Sequence, residues 1–510
     1  MMLVVSLLLG LMGLYVLRWA LQNRKKRTKL PPGPAPKPII GNLLDLPPAG
    51  TPDWLHWFKH KELYGPISSV TLFGQTIIII NDLRVALDLM EKRSVLHSCR
   101  PHMVMAEITN WTNALGILPY SSRLRACRKA LHQEMGTVAS ISKYHSIVDM
   151  ETHRLLLRVL RNPDDLIQHI RMRPQGHDPL VKLVDEAMGD FSQLTLPGAW
   201  LVNFVPMLKY VPSWFPGGGF QKTAKAYKER VTAMADMPYE FVQRQMARQN
   251  QVPSLVSRLR EQGVEPGSEE DWVIKWSAQS LYGGGAETSV SLLMCFFLAM
   301  ALYPDVQKKA REEIDRVVGT GRLPSFSDRD NLPYVNAVVK EVLRWHPATP
   351  IAVPHASSED DIYRGYLIPK GATLVPNIWG FTHDPTLYHD PAEFKPERFL
   401  DGHGRPAEYD PHLLAFGFGR RICPGQHLAS VKAYMAVVRI LAVFHITPLV
   451  KDGKEVPIHP KFLPGLISHP APFDLSIQVR SPEHERLVRM VEKIYPWEKS
   501  HAGELAHLDN

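Results

Sequence analysis

One short stretch constrains this chain more than any other: Phe416-Gly417-Phe418-Gly419-Arg420-Arg421-Ile422-Cys423-Pro424-Gly425. Gly417 and Gly419 permit tight turns that a Cβ would resist. Pro424 suits the first position of a helix. Cys423 is therefore expected just ahead of a helix N-terminus, where free N–H groups and the helix dipole favour a thiolate. A cysteine in a glycine-rich loop is ordinarily an inert buried thiol, but here the aromatic, glycine and arginine positions around it have the order FxxGxRxCxG. The other cysteines, Cys99, Cys127 and Cys295, lie far apart and form no CxxC pair. That excludes a disulfide framework and fits a reducing compartment.

Three further motifs stand elsewhere in the chain. Residues 272–302 form a long, largely apolar run interrupted by Gly283-Gly284-Gly285 and Glu287. It is too interrupted for a membrane span and reads as a buried core helix. Within it lies Gly284-Gly285-Ala286-Glu287-Thr288-Ser289; interior glycines cost about 1 kcal/mol each relative to alanine, so they call for a close approach. Thr288 can bond back to a carbonyl one turn earlier and distort the helix. Glu341-Val342-Leu343-Arg344 puts opposite charges on one helix face, and Phe394-Lys395-Pro396-Glu397-Arg398-Phe399 follows downstream.

The coarse pattern is mainly helical with small sheets, an α+β class. Ile67–Leu72 and Thr76–Ile80 predict a hairpin about Phe73-Gly74-Gln75. Helices are expected over Pro304–Val318, Pro333–Trp345 and from Pro424 to about Phe444, with turns and strands after Pro350. Leu487, Val488, Val491, Ile494 and Tyr495 predict a C-terminal amphipathic helix on the surface.

With these motifs in this order, the sequence resembles the cytochrome P450 family along essentially its whole length. The resemblance implies that single large fold, with haem b held by the Cys423 thiolate and with Phe416, Gly425 and Arg421 in the cofactor-binding loop. Arg421 would meet a haem propionate. Glu341, Arg344 and Arg398 would form a buried triad bracing the loop. Thr288 would donate a proton to bound O2, relayed by Glu287. Arg128, in Leu124-Arg125-Ala126-Cys127-Arg128, matches a propionate-binding arginine, but Leu124 stands where the family has a tryptophan donor. His355 resembles the family's basic propionate contact. Substrate contacts would come from 100–118, 200–220, 276–288, 349–353 and 465–469, through apolar residues such as Trp111, Leu115, Ile117, Trp200, Phe204, Ile351, Val353, Leu466 and Ile467. A lipophilic substrate follows.

The N-terminus adds a location. Residues 1–17 carry no charge, Arg18 and Trp19 follow, and Arg24, Lys25, Lys26, Arg27 and Lys29 cluster behind them. The apolar run is near the short end of a bilayer span, and the positive-inside rule keeps the body cytosolic. A cleaved signal peptide would carry its charge ahead of the run. The prolines at 31, 32, 34, 36 and 38 then make a stiff spacer. The expected organisation is a transmembrane anchor over 1–21, a basic stop and proline hinge over 22–38, a haem domain over 39–480 and a tail over 481–510. The expected setting is the endoplasmic reticulum membrane, crossed once, in contact with lipid. The net charge of +8 is partly this local cluster; without zinc-finger spacing or an aromatic-basic motif, nucleic acid is not an expected partner.

The sequence carries no GxGxxG nucleotide fingerprint, so electrons from NADPH would arrive through a separate partner, by resemblance the NADPH–cytochrome P450 reductase, docked on Arg128, Lys129, Arg420 and Lys432. Tyr363–Lys370 and Ser468-His469-Pro470 resemble fungal members of secondary metabolism, with terpenoid substrates first and aromatic or indole substrates next. The expected activity is monooxygenation. The alternatives are a haem-thiolate isomerase or dehydratase that does not activate O2, and a non-catalytic haem-binding protein.

Overall fold

The computed structural model describes residues 29–48, 50–171, 178–196, 198–401, 406–497 and 501–506. The expected anchor at 1–21 lies outside them, as does most of the basic stop. The chain opens with α1 (Asp53–Tyr64) and the hairpin β1 (Ile67–Leu72) and β2 (Gln75–Ile80). The hairpin closes after two residues rather than three: Phe73 and Gly74 both take positive φ, so Gln75 already pairs with Leu72.

Helices then dominate: α2 (Ser122–Met135), α3 (His145–Arg161), α4 (Pro179–Thr195), α5 (Phe220–Ala247) and α6 (Glu269–Leu302). The last has its Ser268 side chain accepting from the Asp271 N–H, and three acids fill its first turn; both features suit a helix N-terminus. It alone among the described residues is long and apolar enough to cross a bilayer, yet 67% of its apolar window is buried inside the protein. It is the central core helix that its interrupted pattern implied.

Next come α7 (Pro304–Val317) and α8 (Pro333–Trp345), each with proline at its start. The short strands β3 (His355–Ala356) and β4 (Thr373–Pro376) join the hairpin in a sheet of order β1-β2-β4-β3. β4 runs parallel to β2 and antiparallel to β3, with His355 opposite Leu374. The chain continues through α9 (Gln426–Val443) and an antiparallel pair, β5 (Phe444–Pro448) and β6 (Leu475–Val479), to α10 (Pro482–Ile494).

The largest core joins α3, the C-terminal half of α6, α8 and α9. The amphipathic pattern of α10 is real, but its apolar stripe does more than rest on the surface. Val488 and Val491 are fully buried members of this same core. A second cluster lies between α4, α5, the N-terminal half of α6 and the 104–117 segment. The region between the two clusters is where α6 carries Gly284 to Thr288.

Candidate active site

The Cys423 loop is tied shut by its own backbone. The Cys423 N–H donates to the Phe416 carbonyl at 2.8 Å. Gly419 has φ +54, and a Cβ there would sit 2.2 Å from the Met90 carbonyl oxygen, so no other residue fits. The helix α9 begins at Gln426, two residues later than the proline suggested. Pro424 and Gly425 instead form a turn that aims the Gly425 N–H at the Cys423 sulfur. Phe416 is half-buried, with its ring facing His412.

Burial pushes the Cys423 thiol up, and the Gly425 N–H and Arg128 pull it back without reversing the sign. The expectation of a lowered thiol pKa is therefore corrected: the polypeptide alone does not ionise this sulfur. A coordinated metal would, since it deprotonates a bound thiol outright.

Around the loop, three guanidiniums converge. Arg128 donates to the Ile422 carbonyl at 2.9 Å, next to Cys423. Arg421 donates to the carbonyls of Ser98 and Leu118 at 2.7 and 2.8 Å. Arg100 donates to those of Gly116, Val353 and Pro354. None has a carboxylate partner among the described residues. Burial, and then Arg421 and Arg128, push Arg100 well below its ordinary value. Arg421 falls to about 10, with burial the largest cause and Arg128 a further one. A buried cluster of like charges, held only by backbone carbonyls, fits a doubly anionic ligand beside Cys423. The two propionates of haem meet that need, so the residues fit the group.

His355 is on this wall but not as a cation. It is buried, and its Nδ1 lies 2.7 Å from the His97 carbonyl. Burial, Arg100 and Arg421 push it well below the usual imidazole range. A neutral ring that donates from Nδ1 keeps Nε2 as an acceptor, so the expected basic contact is corrected to an uncharged one. Arg100 is the residue the sequence reading missed, because an isolated arginine before a proline carries no pattern. Leu124 is fully buried with Leu118, Cys127 and Val273; the missing tryptophan has been replaced by apolar packing.

On α6, the Thr288 hydroxyl donates to the Gly284 carbonyl at 2.8 Å, the back-bond expected of it. The glycines divide their work. A Cβ on Gly283 would meet the Met234 methyl at 2.8 Å, while one on Gly284 or Gly285 would meet no protein atom within 4 Å. Only the latter two present bare backbone to a flat ligand. Glu287 does not stand free: Arg171 approaches it at 3.2 Å and His469 Nε2 at 3.1 Å. Burial pushes its carboxyl up, but His469 and Arg171 outweigh that and hold it below its ordinary value.

The charged scaffold comes together as a buried unit. Arg344 donates twice to Glu341, at 2.7 and 2.9 Å, with both side chains fully buried. Arg398 reaches the same carboxylate at 3.2 Å. Glu408, which no motif marked, is a fourth member at 2.7 Å from Arg398. Arg344 also binds the carbonyls of Thr382, Pro391 and Glu393. The neighbouring Phe381 packs in one cluster with Phe418 of the cysteine loop.

Of the apolar residues singled out for substrate, Trp111, Ile117 and Leu466 share the second cluster, with Trp200, Val353, Ile467 and Ala286 packed against it. Ile351 packs elsewhere with Trp54 and Trp57, Leu115 sits with Leu124, and Phe204 faces Phe73. The basic docking set also divides. Lys129 and Arg420 are exposed, whereas Arg128 is turned inward to Ile422 and Lys432 is half-buried, its pKa lowered by burial.

Comparison with known proteins agrees with this geometry. The family model described as Cytochrome P450 matches residues 31–166 and 177–477. The cytochrome P450 monooxygenase ppsD of Aspergillus oryzae is 62% identical over 526 residues, covering 100% of both chains. The O-methylsterigmatocystin oxidoreductase of Aspergillus flavus is 45% identical, covering 98% of this chain and 96% of its own. The cytochrome P450 monooxygenase claR of Ampulloclitocybe clavipes is 45% identical over 95% and 91%. A family match along the body of the chain, full-length monooxygenase relatives, and a buried cationic pocket beside one cysteine lead to one assignment: this chain belongs to the cytochrome P450 family, as an oxygen-incorporating oxidoreductase.

Proposed function

We propose that this protein is a membrane-anchored haem-thiolate monooxygenase that hydroxylates a lipophilic small molecule of fungal secondary metabolism, using NADPH through a separate reductase. The observation that carries the reading is the convergence of Arg100, Arg128 and Arg421, without a carboxylate partner among the described residues, around the Cys423 loop. Haem bound there would supply oxygen activation. The chain does the rest. Cys423 ligates the iron, and the three arginines neutralise and orient the propionates. Thr288, held against Gly284, positions a hydroxyl over the bare glycine surface, and Glu287 passes protons toward it. The apolar second cluster excludes water.

Terpenoid and aromatic substrates both suit such walls. The ring pairs Trp111–Phe191, with centroids 4.8 Å apart, and Trp200–Tyr227 favour a flat aromatic substrate. The anchor, hinge, haem domain and tail at 1–21, 22–38, 39–480 and 481–510 are the proposed organisation, with the body on the cytosolic face of the endoplasmic reticulum. Exposed Ile39, Leu44, Leu201, Met207, Tyr210, Trp214 and Phe215 support lipid contact. The 201–215 segment and the hinge lie on the same side, because Phe204 packs on Phe73 and Asn42 pairs with the adjoining Thr71. In Cys423→Ser, the thiolate signature of the reduced carbon-monoxide spectrum should vanish; an unchanged spectrum would remove the reading. Co-expression with a reductase and profiling of products from host metabolites would identify the substrate class.

A further inference from the structure

Glu287 is gripped from two loops remote in sequence, and the two grips are chemically unlike. Arg171 supplies a fixed charge, since a guanidinium does not give up its proton in proteins. His469 Nε2, 3.1 Å from the carboxylate, belongs to a side chain that is 26% exposed and can both take and release a proton. We propose that His469 is the residue through which protons from solvent reach Glu287. This rests on the reading of Glu287 as a proton relay. In the step, the Nε2–H proton of His469 passes to the Glu287 carboxylate while Nδ1 takes a proton from a solvent hydronium ion, which leaves as water; a flip of the ring then returns an N–H to face Glu287, and nothing is oxidised or reduced.

The turn that carries His469 is built to hold this contact. The Ser291 hydroxyl, one helical turn beyond Glu287 on the same face of α6, donates to the Ser468 carbonyl at 2.5 Å. The Ser468 N–H donates to Ala348 and its hydroxyl lies 2.8 Å from His346 Nε2. The Leu463 N–H donates to the His469 carbonyl at 2.8 Å. The turn is thus fixed at its backbone, while the imidazole it carries stays partly exposed. The charged and titratable groups facing it are Glu287, Arg171, Asp185 of α4 at 3.7 Å from Arg171, and His346, which burial holds uncharged. Of the two side chains that touch Glu287 directly, His469 is the one that can both take and release a proton.

The test uses the full-length haem-loaded protein and the variants His469→Gln, Glu287→Gln and their combination. Glutamine keeps an N–H donor toward Glu287 but cannot relay a proton. Carbon monoxide is the probe. In the reduced CO complex, which does not turn over, the C–O stretching band of the wild type should move with pH, and His469→Gln should abolish that movement. With purified reductase and no added substrate, NADPH oxidation by His469→Gln should slow several-fold, with a larger solvent deuterium isotope effect. The double variant should be no slower than Glu287→Gln. A wild-type band insensitive to pH, wild-type rates in His469→Gln, or additive losses in the double variant would each overturn the proposal. If Glu287→Gln itself oxidises NADPH as wild type does, the relay reading of Glu287 fails too. If Glu287→Gln is slow and His469→Gln is not, the assignment of His469 alone fails.

Discussion

Removing the Glu341 carboxylate should destabilise the protein by about 3–5 kcal/mol, the usual cost of stranding buried charge. The geometry sets that size. Glu341 accepts from Arg344 twice, from Arg398 and from the Lys395 N–H at 2.7 Å. In Glu341→Ala, Arg398 keeps Glu408, but Arg344 keeps only carbonyl partners. Arg344→Ala should cost at least as much, because it orphans the Thr382 and Pro391 carbonyls at about 1–3 kcal/mol each when buried, although Glu393 and Glu341 retain Arg398. Glu408→Ala should cost least, about 1–2 kcal/mol, since Arg398 still holds Glu341. Denaturant unfolding of the haem-loaded variants, followed by circular dichroism and by the haem band, measures this order. A loss under about 1 kcal/mol for Glu341→Ala, the value of a surface pair, would refute the reasoning. So would a larger loss for Glu408→Ala than for Arg344→Ala.

Leu124→Trp should destabilise by about 1–3 kcal/mol through overpacking, because Leu124 is already fully enclosed by Leu118, Cys127 and Val273; a stabilised variant with slower haem transfer to apomyoglobin would show room for an added donor. Gly419→Ala should prevent the cysteine loop from closing against Met90, read as loss of haem content at unchanged helix content. Asp53 is raised from 3.8 to about 6 by burial. Its folded form resists ionisation, so its penalty is absent below the ordinary carboxyl range and complete above about pH 6. Asp53→Asn should therefore stabilise the protein on the order of 2 kcal/mol at pH 8 and hardly at all near pH 3.5, measured by denaturant midpoints at both values.

Local signals served the sequence reading well. Proline at its start and His346-Pro347 at its end fixed α8 to the residue. The ExxR spacing placed Glu341 and Arg344 on one face, and the Thr288 back-bond followed from its place one turn after Gly284. What failed was not local. The late start of α9 follows from the Gly425 N–H being drawn to sulfur, a competition that helix-start rules do not contain. Arg171 and His469 meet Glu287 from opposite sides of the sequence. Glu408 reaches Arg398 from a loop with no periodicity. His355 was read by residue type as basic, but burial beside two guanidiniums decides its charge, and burial is a property of the finished fold.

Arg100, Arg128 and Arg421 also bear on how the protein comes into being. Three like charges close together, two of them buried and the third half-buried, leave the bare polypeptide with a standing electrostatic penalty that a dianionic ligand removes. Stability then follows ligand supply, gaining about 2.7 kcal/mol when free ligand reaches a hundred times its Kd. A chain synthesised faster than its cofactor arrives spends longer in the weaker state, where unfolding hands it to chaperones and proteases. The quantity of working enzyme in a cell is then set by cofactor delivery as much as by how strongly the gene is expressed.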